Sequence, residues 1–588
     1  MAQNIKAKLS GASLKDILYL IALSSLIDFF LTINSENPGE YSAAVTAFFL
    51  TLGCVFLLWL YFLSGTRQAP SSAYKTAGLS LAPVFILLLL LPYNYFYAPL
   101  TGMEPWACLG LVCAGSVLFN ALLRNKLNIP PPSPVTLGLL MALYAASFSA
   151  ISVLRHLNYQ NDSSFDVAIY SQIQWSNIHG HLFHTSSSGS NFVTHNSPFL
   201  LLLSPFYALY PHPETLLVLK TLFLACGAFP FYLILKHLLG EKCLWPLLLG
   251  YLFFPFIVGQ NFNAPHETCF LPPLLLFSFY DYLKGRFKPF LVFLVLSLSI
   301  KEHMALMAVM YGLYALYQKK ERHWVIVPLL MGAAWAIFSM WVIFHFQKIY
   351  HVDPYPAWLI DNIKRRILRP DHSTWSNMVW SLQTSNMGHW GNFCYFYLLL
   401  SPVCLVLPFF SSIWLLGLPE LFINLLATIP LTYPTWHYNV VVAIFLLLSC
   451  AGTVKKSPSG ILSRLGLPAG KSQELLSWFL CICILVHFPL WWDYTKFKTD
   501  PRYAADMNSA IRLVPEASSV SLTKHLVAYV SDRKDYFLCE ERRKGEYIVL
   551  DKDETMGICF KDLRQADGYV RIFEKDGIRV YRKKQPIP

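Results

Sequence analysis

The stretch Arg155–Lys220, RHLNYQNDSSFDVAIYSQIQWSNIHGHLFHTSSSGSNFVTHNSPFLLLLSPFYALYPHPETLLVLK, decides how the rest of the chain is read. It lies between two long apolar segments, yet it is polar, aromatic and rich in histidine. A plain connection between membrane helices rarely needs this many residues, and long loops often carry function. Inside it, Phe165 and Asp166 lead into VAIYSQIQW, which reads as a short amphipathic helix. The segment 197–211 is mostly apolar but too short for a comfortable crossing, and it suits a re-entrant or interfacial helix. The stretch is therefore expected to build one wall of a membrane-surface active site, with Asp166 as its acid–base group.

Of the 588 residues, 55% are hydrophobic and only 14% are charged. Soluble domains carry about 25% charged residues, so the composition points to a polytopic membrane protein. The first apolar run, 14–33, is long enough to span and lacks a small-residue cleavage site, so it is expected to remain as a helix. A net charge of +12 raises the question of nucleic acid. In a membrane protein, Lys and Arg collect in cytoplasmic loops and near anionic headgroups, so no nucleic-acid partner is expected. Most of the 13 cysteines fall inside apolar segments and behave as small hydrophobes. None sits in a paired CxxC array, which argues against a zinc ribbon or cluster. Cys539 and Cys559 lie in the polar tail and can pair if that tail faces an oxidising compartment.

Apolar runs of bilayer length number about fifteen. The first four are 14–33, 43–63, 78–97 and 106–123, and a fifth, 135–154, leads into the opening loop. Lys6, Lys8, Lys15, Arg67, Lys75, Arg124 and Lys126 mark one side as cytoplasmic, and acidic SENPGE and TGMEP mark the other. This places the N-terminus in the cytoplasm and the Arg155–Lys220 loop outside. Further spans are expected at 216–238, 244–258, 269–282, 289–300, 304–317, 324–346, 393–410, 413–430, 438–450 and 475–491. A second outer loop, 347–390, holds Lys364, Arg365, Arg366 and Arg369. An odd count leaves the tail outside. From about residue 493 the chain turns charged, and SVSLTKHLVAYV, YIVLD and GIRVYRK read as strands around the helix RYAADMNSAIRLV. No repeat of fixed period is present.

On this topology the unusual polar residues converge on the outer side. Asp166, His195 and Lys220 belong to the first loop and its edge. Asn263, His266 and Glu267 lie in QNFNAPHE, and Lys301, Glu302 and His303 in SIKEH. Tyr433, Trp436 and His437 form a fourth turn, close behind the run holding Glu420. Ionisable residues at or in a membrane are costly and mark a functional cavity by default. Each also has a plainer reading. Asp166 suits a helix N-cap, and Glu267 suits a Pro-led helix start. The Lys–Glu–His turn suits an exposed corner of mutually neutralised charges, and Lys220 can snorkel to the membrane edge. The Lys364–Arg369 cluster suits anionic headgroups. His179, His181 and His184 lack a strong zinc spacing.

An outward cavity with a carboxylate, cationic groups and an apolar flank suits transfer from a lipid-linked phosphate donor. The carboxylate takes the proton of an acceptor hydroxyl, and Lys, Arg or a divalent metal ion neutralises the departing phosphate.

FDVAIYSQIQWSNIHG, HNSPFLLLLSPFYALYP, NFNAPHE, SIKEHMAL and LPELFINLLA resemble a family of bacterial membrane proteins known as domain of unknown function 2079. Phe165, Asp166, Gln172, Trp175, His195, Ser197, Pro198, Phe262, His266, Glu267, Lys301 and Glu302 fall on its pattern. The resemblance runs from about residue 163 through the tail, and it implies the bacterial inner membrane. The layout is also similar to the GT-C glycosyltransferase superfamily, which includes protein O-mannosyltransferases and aminoarabinose transferases. That similarity implies an acidic catalytic residue in the first outer loop and a polyprenyl-phosphate sugar donor. Asp166 occupies the corresponding place, and about eleven spans follow from the core's first helix. The paired acidic motif of the mannosyltransferases is absent, and extra helices precede the core, so the analogy reaches the reaction class alone.

The expectation is an all-α polytopic membrane protein with a GT-C-like core and a small C-terminal α/β domain outside the membrane. Residues 1–130 form an N-terminal membrane extension, 131–491 the core with outer loops 155–215 and 347–390, and 492–588 the outer domain. The expected activity is inverting transfer of a sugar from a polyprenyl-phosphate donor to a glycan, lipid or protein acceptor at the outer face. Asp166 is the expected base. His195, Lys220, His266, Glu267, Lys301, Glu302, His303 and His437 are expected to bind substrate. Asp166, His266 and Glu267 are the candidate ligands of a divalent metal ion. The rival reading is a transporter or flippase for a lipid-linked or anionic solute, for which charges near the midplane and internal repeats are the usual signs. A scaffold in an envelope complex is a third, in which the Asp166 and Lys301 side chains are dispensable.

Overall fold

Ser133 starts the first helix of the core. Its side chain accepts the Thr136 N–H at 3.1 Å, Pro134 occupies the first helical position, and α1 then runs Pro134–Leu157. A capping hydroxyl and a proline without an N–H are the usual way to open a helix. The computed structural model describes residues 129–160, 164–241, 243–352, 391–426, 437–456, 469–485, 487, 500–541, 543–552, 559 and 568–584. The expected spans before residue 129, and the Lys364–Arg369 cluster with most of its loop, lie outside the described residues.

The described chain is mostly helical, with a small sheet near its C-terminal end. Among the described residues, five helical segments are long and apolar enough to cross a membrane: Pro134–Leu157, Pro213–Leu239, Leu244–Phe262, Arg322–Tyr350 and His437–Lys456. Leu244–Phe262 and His437–Lys456 are mostly buried, whereas only 28% of the apolar stretch is buried in each of Pro134–Leu157 and Arg322–Tyr350. Exposed Leu139, Leu143, Ile337 and Trp341 lie on those two helices, as expected of surfaces that meet lipid rather than water. The expected runs at 289–300 and 304–317 form the shorter apolar helices Phe287–Leu298 and Met304–Tyr317. The described part of the run at 413–430 is a 3-10 turn, Ser412–Gly417, followed by Leu418–Leu426. The expected interfacial segment 197–211 is also short, a 3-10 stretch Pro198–Leu203 entering a single turn, Ser204–Tyr207.

Helices Met304–Tyr317 and Arg322–Tyr350 pack closely at Gly332. A Cβ there would stand 2.6 Å from the Ala305 carbonyl oxygen and 2.7 Å from a Val309 methyl, so only glycine permits the approach.

The helix expected at VAIYSQIQW is α2, Ser164–Ile178, and it is not amphipathic. Val167, Ala168, Tyr170, Ser171, Gln172, Ile173, Gln174 and Ser176 are all buried. The reason is tertiary: the C-terminal segment covers the side that sequence would leave to water. Val167 and Ala168 share one apolar cluster with Met507, Val520, Leu522, Val527, Tyr536, Val549 and Val580 of the tail.

The tail itself is a helix, Pro501–Ile511, and five strands: β1 Val520–Leu522, β2 Tyr536–Leu538, β3 Tyr547–Leu550, β4 Tyr569–Lys575 and β5 Ile578–Lys583. Their order is β2-β1-β3-β5-β4, with β1 parallel to β2 and β3, and β5 antiparallel to β3 and β4. Cys539 and Cys559 are joined by a disulfide. The sequence reading anticipated β1, β3 and β5 and missed the short β2 and the exposed edge strand β4. Residues 129–453 and 480–588 belong to one compact unit; the described residues of the other, 454–456 and 469–479, are ends of helices.

Candidate active site

Asp166 and Tyr170 stand one turn apart on α2, a spacing that puts both on one helix face. Asp166 lies in the first turn, inside the helix rather than capping it. Facing them is the turn after Leu244–Phe262, which carries His266 and Glu267. The Tyr170 hydroxyl donates to the Glu267 carboxylate and lies 3.1 Å from His266 Nδ1. With the tyrosine proton committed to Glu267, Nδ1–H of a neutral His266 donates to the phenol oxygen. The Nε2 lone pair then faces Asp166 Oδ2, 3.7 Å away. The His266 ring stacks on His437, with centroids 3.5 Å apart.

The turn between Phe287–Leu298 and Met304–Tyr317 supplies the balancing charge. Lys301 Nζ lies 2.5 Å from Glu267 Oε1, and their side chains are 5% and 1% exposed. Glu302 turns the other way. Its Oε1 lies 3.0 Å from His195 Nδ1, and its Oε2 accepts the Asn196 N–H at 3.1 Å. His303 Nε2 lies 3.2 Å from Glu420 Oε2. The three adjacent residues therefore hold three different elements to one corner, rather than neutralising one another on a surface.

Burial and charge compete at each group. Burial holds the His266 imidazole down to a pKa of about 4, against the upward pull of Asp166 and Glu267. For Glu267, burial pushes the carboxyl up, but Lys301 with His195 and His266 more than offsets it and holds the group well below the usual carboxylate range. Lys301 mirrors this: burial opposes its charge, and Glu267 and Glu302 raise it. Burial opposes ionised Glu302 too, while His195 and Lys301 hold its carboxyl down. Glu267, Glu302 and Glu420 each face a cation or histidine within the protein. Asp166, by contrast, is 36% exposed on its side chain, with His266 Nε2 at 3.7 Å. A buried, internally balanced network thus supports one carboxylate at the solvent edge.

The structure therefore brings together Asp166, His266, Glu267, Lys301 and His437, with His195–Glu302 and His303–Glu420 as flanking pairs. Lys220 stands apart. It is fully buried, donates to the Asn263 carbonyl, and does not snorkel. His179 and His184 engage the Trp175 and Gly189 carbonyls. Among the described residues, no three His, Cys, Asp or Glu side chains are grouped to hold a metal ion. Asp166, His266 and Glu267 lie near one another, but Glu267 is already engaged by Lys301 and Tyr170, so the set as arranged does not fit a divalent cation.

Sequence reasoning overlooked Tyr170, whose position four residues after Asp166 was an available signal. It placed the tail outside the membrane without pairing it with α2. Gln172 Nε2 donates to the Lys534 carbonyl at 2.7 Å and to Ser186 Oγ at 2.6 Å. The Ala528 N–H donates to Ser164 Oγ at 3.2 Å, and exposed Lys524 stands 5.3 Å over the Phe165 ring, beside Asp166. Nothing local in sequence pairs these segments.

The pattern of the family described as "Predicted membrane protein (DUF2079)" matches residues 155–580. The chain belongs to that family. It is an integral membrane protein, as the DUF2079 description and its long apolar helices agree. No curated protein matches the chain. Among solved structures, this DUF2079 member is similar to ArnT from Cupriavidus metallidurans bound to undecaprenyl phosphate, at 10% identity and a TM-score of 0.44. That comparison covers 76% of this chain and 98% of the other. The apo state of the same protein compares at 11% identity and a TM-score of 0.41, over 75% and 97% of the two chains.

Proposed function

We propose that the protein is a membrane glycosyltransferase of GT-C type that moves a sugar from a polyprenyl-phosphate donor to an acceptor hydroxyl at the outer face. The observation that carries this reading is Asp166, a partly exposed carboxylate set against an otherwise buried and balanced network. Its free oxygen takes the proton of the acceptor hydroxyl as that oxygen attacks the anomeric carbon. The bond from that carbon to the phosphate oxygen breaks, and its electron pair leaves with the phosphate. A single displacement inverts the anomeric centre. Proximity of a positioned base supplies a factor of about 10²–10⁴. Asp166, partly exposed, then passes the proton to water, which resets the base.

Lys301 is spent on Glu267, so in this reading it shapes the field at Asp166 rather than touching phosphate. Lys524, an exposed cation over the ring of Phe165, the residue before the base, is assigned the departing phosphate. The Cys539–Cys559 disulfide supports placing the tail on an oxidising, extracytoplasmic side. No step requires a metal.

The test is transfer from a panel of radiolabelled polyprenyl-phosphate sugars in membranes holding wild type or Asp166→Asn. Label reaching an acceptor with wild type, and a loss of about a hundredfold or more in the variant, is expected. Transfer surviving the substitution removes Asp166 from the role. No transfer from any donor, at normal protein level, shifts the assignment to a transporter.

A further inference from the structure

A cavity, distinct from the Asp166 corner, opens where the membrane core meets the tail. Its volume is about 150 Å³, and it lies between the end of Pro134–Leu157, the start of Pro213–Cys226 and the turn Val527–Val530. That is the volume at which a protein cavity accepts one six-membered ring. The Tyr529 ring lies flat on His156, with centroids 4.5 Å apart, and leans on Tyr159 at 4.1 Å. Around this aromatic wall stand Glu214, His212 and Asp532, with His212 Nδ1 3.3 Å from Asp532 Oδ2.

Two polar atoms at this cavity are buried without a hydrogen-bond partner: Glu214 Oε2 and the Tyr529 hydroxyl. Native proteins rarely leave such groups unmet, and each needs an explanation. The other oxygen of Glu214 faces His156 Nε2 at 3.9 Å. An occupant must therefore donate to a carboxylate, exchange a hydrogen bond with a phenol, and lie against an aromatic face. A polyhydroxylated ring does all three, because its hydroxyls donate in plane and its C–H face is apolar. The two carboxylates favour a ring that also carries an ammonium group.

The cavity also touches the proposed catalytic helix. Its Ala528 wall is the residue whose N–H binds Ser164 Oγ, two positions before Asp166. We propose that this cavity is a saccharide subsite that holds one amino-sugar ring of the acceptor, with Glu214 and Tyr529 as its hydrogen-bonding groups. Its role as an acceptor site rests on the glycosyltransferase reading, whereas binding of the ring does not.

The experiment is saturation-transfer NMR with methyl glucosaminide and methyl glucoside on the full chain in nanodiscs. Wild type, Tyr529→Phe, Glu214→Gln and Asp166→Asn are compared, each checked for a monodisperse elution profile. Both variants at the cavity keep side-chain volume and the ring stack, so loss of fold is not the expected outcome. Binding of the amino sugar by wild type and Asp166→Asn is expected, with at least a tenfold weaker affinity in Glu214→Gln and Tyr529→Phe and a weaker response for the neutral sugar. No binding by well-folded wild type, or binding untouched by both cavity substitutions, overturns the subsite and leaves a cavity filled by water. Sugar binding without transfer from any donor sinks the glycosyltransferase reading and leaves the subsite standing.

Discussion

Replacing Lys301 with methionine removes one half of an ion pair from which water is almost excluded. The two charged atoms stand 2.5 Å apart. At an effective dielectric constant of about 20, their attraction is about 7 kcal/mol. Part of that is recovered when water and neighbours relax, so the measured cost should fall at about 3–5 kcal/mol, the range for breaking a buried pair from one side. Glu267 would retain the Tyr170 hydroxyl as a donor but lose its counter-charge. Lys301→Met combined with Glu267→Gln removes both charges and keeps the Tyr170 hydrogen bond, so most of the loss should return. The assay is the midpoint of thermal unfolding in detergent, read by tryptophan fluorescence and by the fraction eluting as monomer. A drop on the order of 10 °C is expected for the single variant, with clear non-additivity in the double-mutant cycle. A single variant as stable as wild type, or a double variant as poor as the sum of the two singles, would refute the claim that this pair anchors the site.

The pH dependence of stability should carry the signature of His266. Its folded pKa is about 4 against an ordinary 6.5, so the unfolded chain binds more protons between those values. Its contribution is fully present above pH 6.5 and is lost as pH falls toward 4, by about 3 kcal/mol; His266→Asn should flatten that slope in urea or thermal titrations. Gln172→Leu takes the acceptor from the Ser186 N–H and a donor from the Arg533 carbonyl, at about 1–3 kcal/mol for each buried group left unmet. It should speed proteolytic nicking of the tail in the intact protein, and unchanged nicking would show that Gln172 does not hold the tail. Cys559→Ser opens a disulfide that closes 20 residues of chain. Loss of that crosslink should cost the tail about 3 kcal/mol, seen as a lower midpoint that reducing agent reproduces in wild type but not in the variant.

Much of the membrane architecture is legible without coordinates. Apolar length marks Pro134–Leu157 and Arg322–Tyr350, because the backbone of a crossing helix must satisfy its own hydrogen bonds inside lipid. Apolar length is less telling for the run at 413–430, whose described part is a 3-10 turn followed by a short helix: hydropathy records burial, and burial inside protein looks the same as burial in lipid. The turns with His266, Glu267 and Lys301 were likewise visible, since several titratable residues between apolar runs have few structural uses.

What each of those residues does was not visible. Sequence alone identified a membrane protein, its family, Asp166 as an unusual carboxylate, and the turns that converge on it, because hydropathy, charge and motif are local properties. Only the tertiary structure paired Lys301 with Glu267, turned Glu302 onto His195, buried Lys220 beneath the Asn263 carbonyl, and laid the tail over α2. Those pairings join segments far apart in the chain, and their energies depend on distance and on the exclusion of water. Neither quantity is written in the order of residues. The amphipathic reading of α2 failed for that reason: its polar side meets the tail instead of solvent, and folding alone brings the tail there.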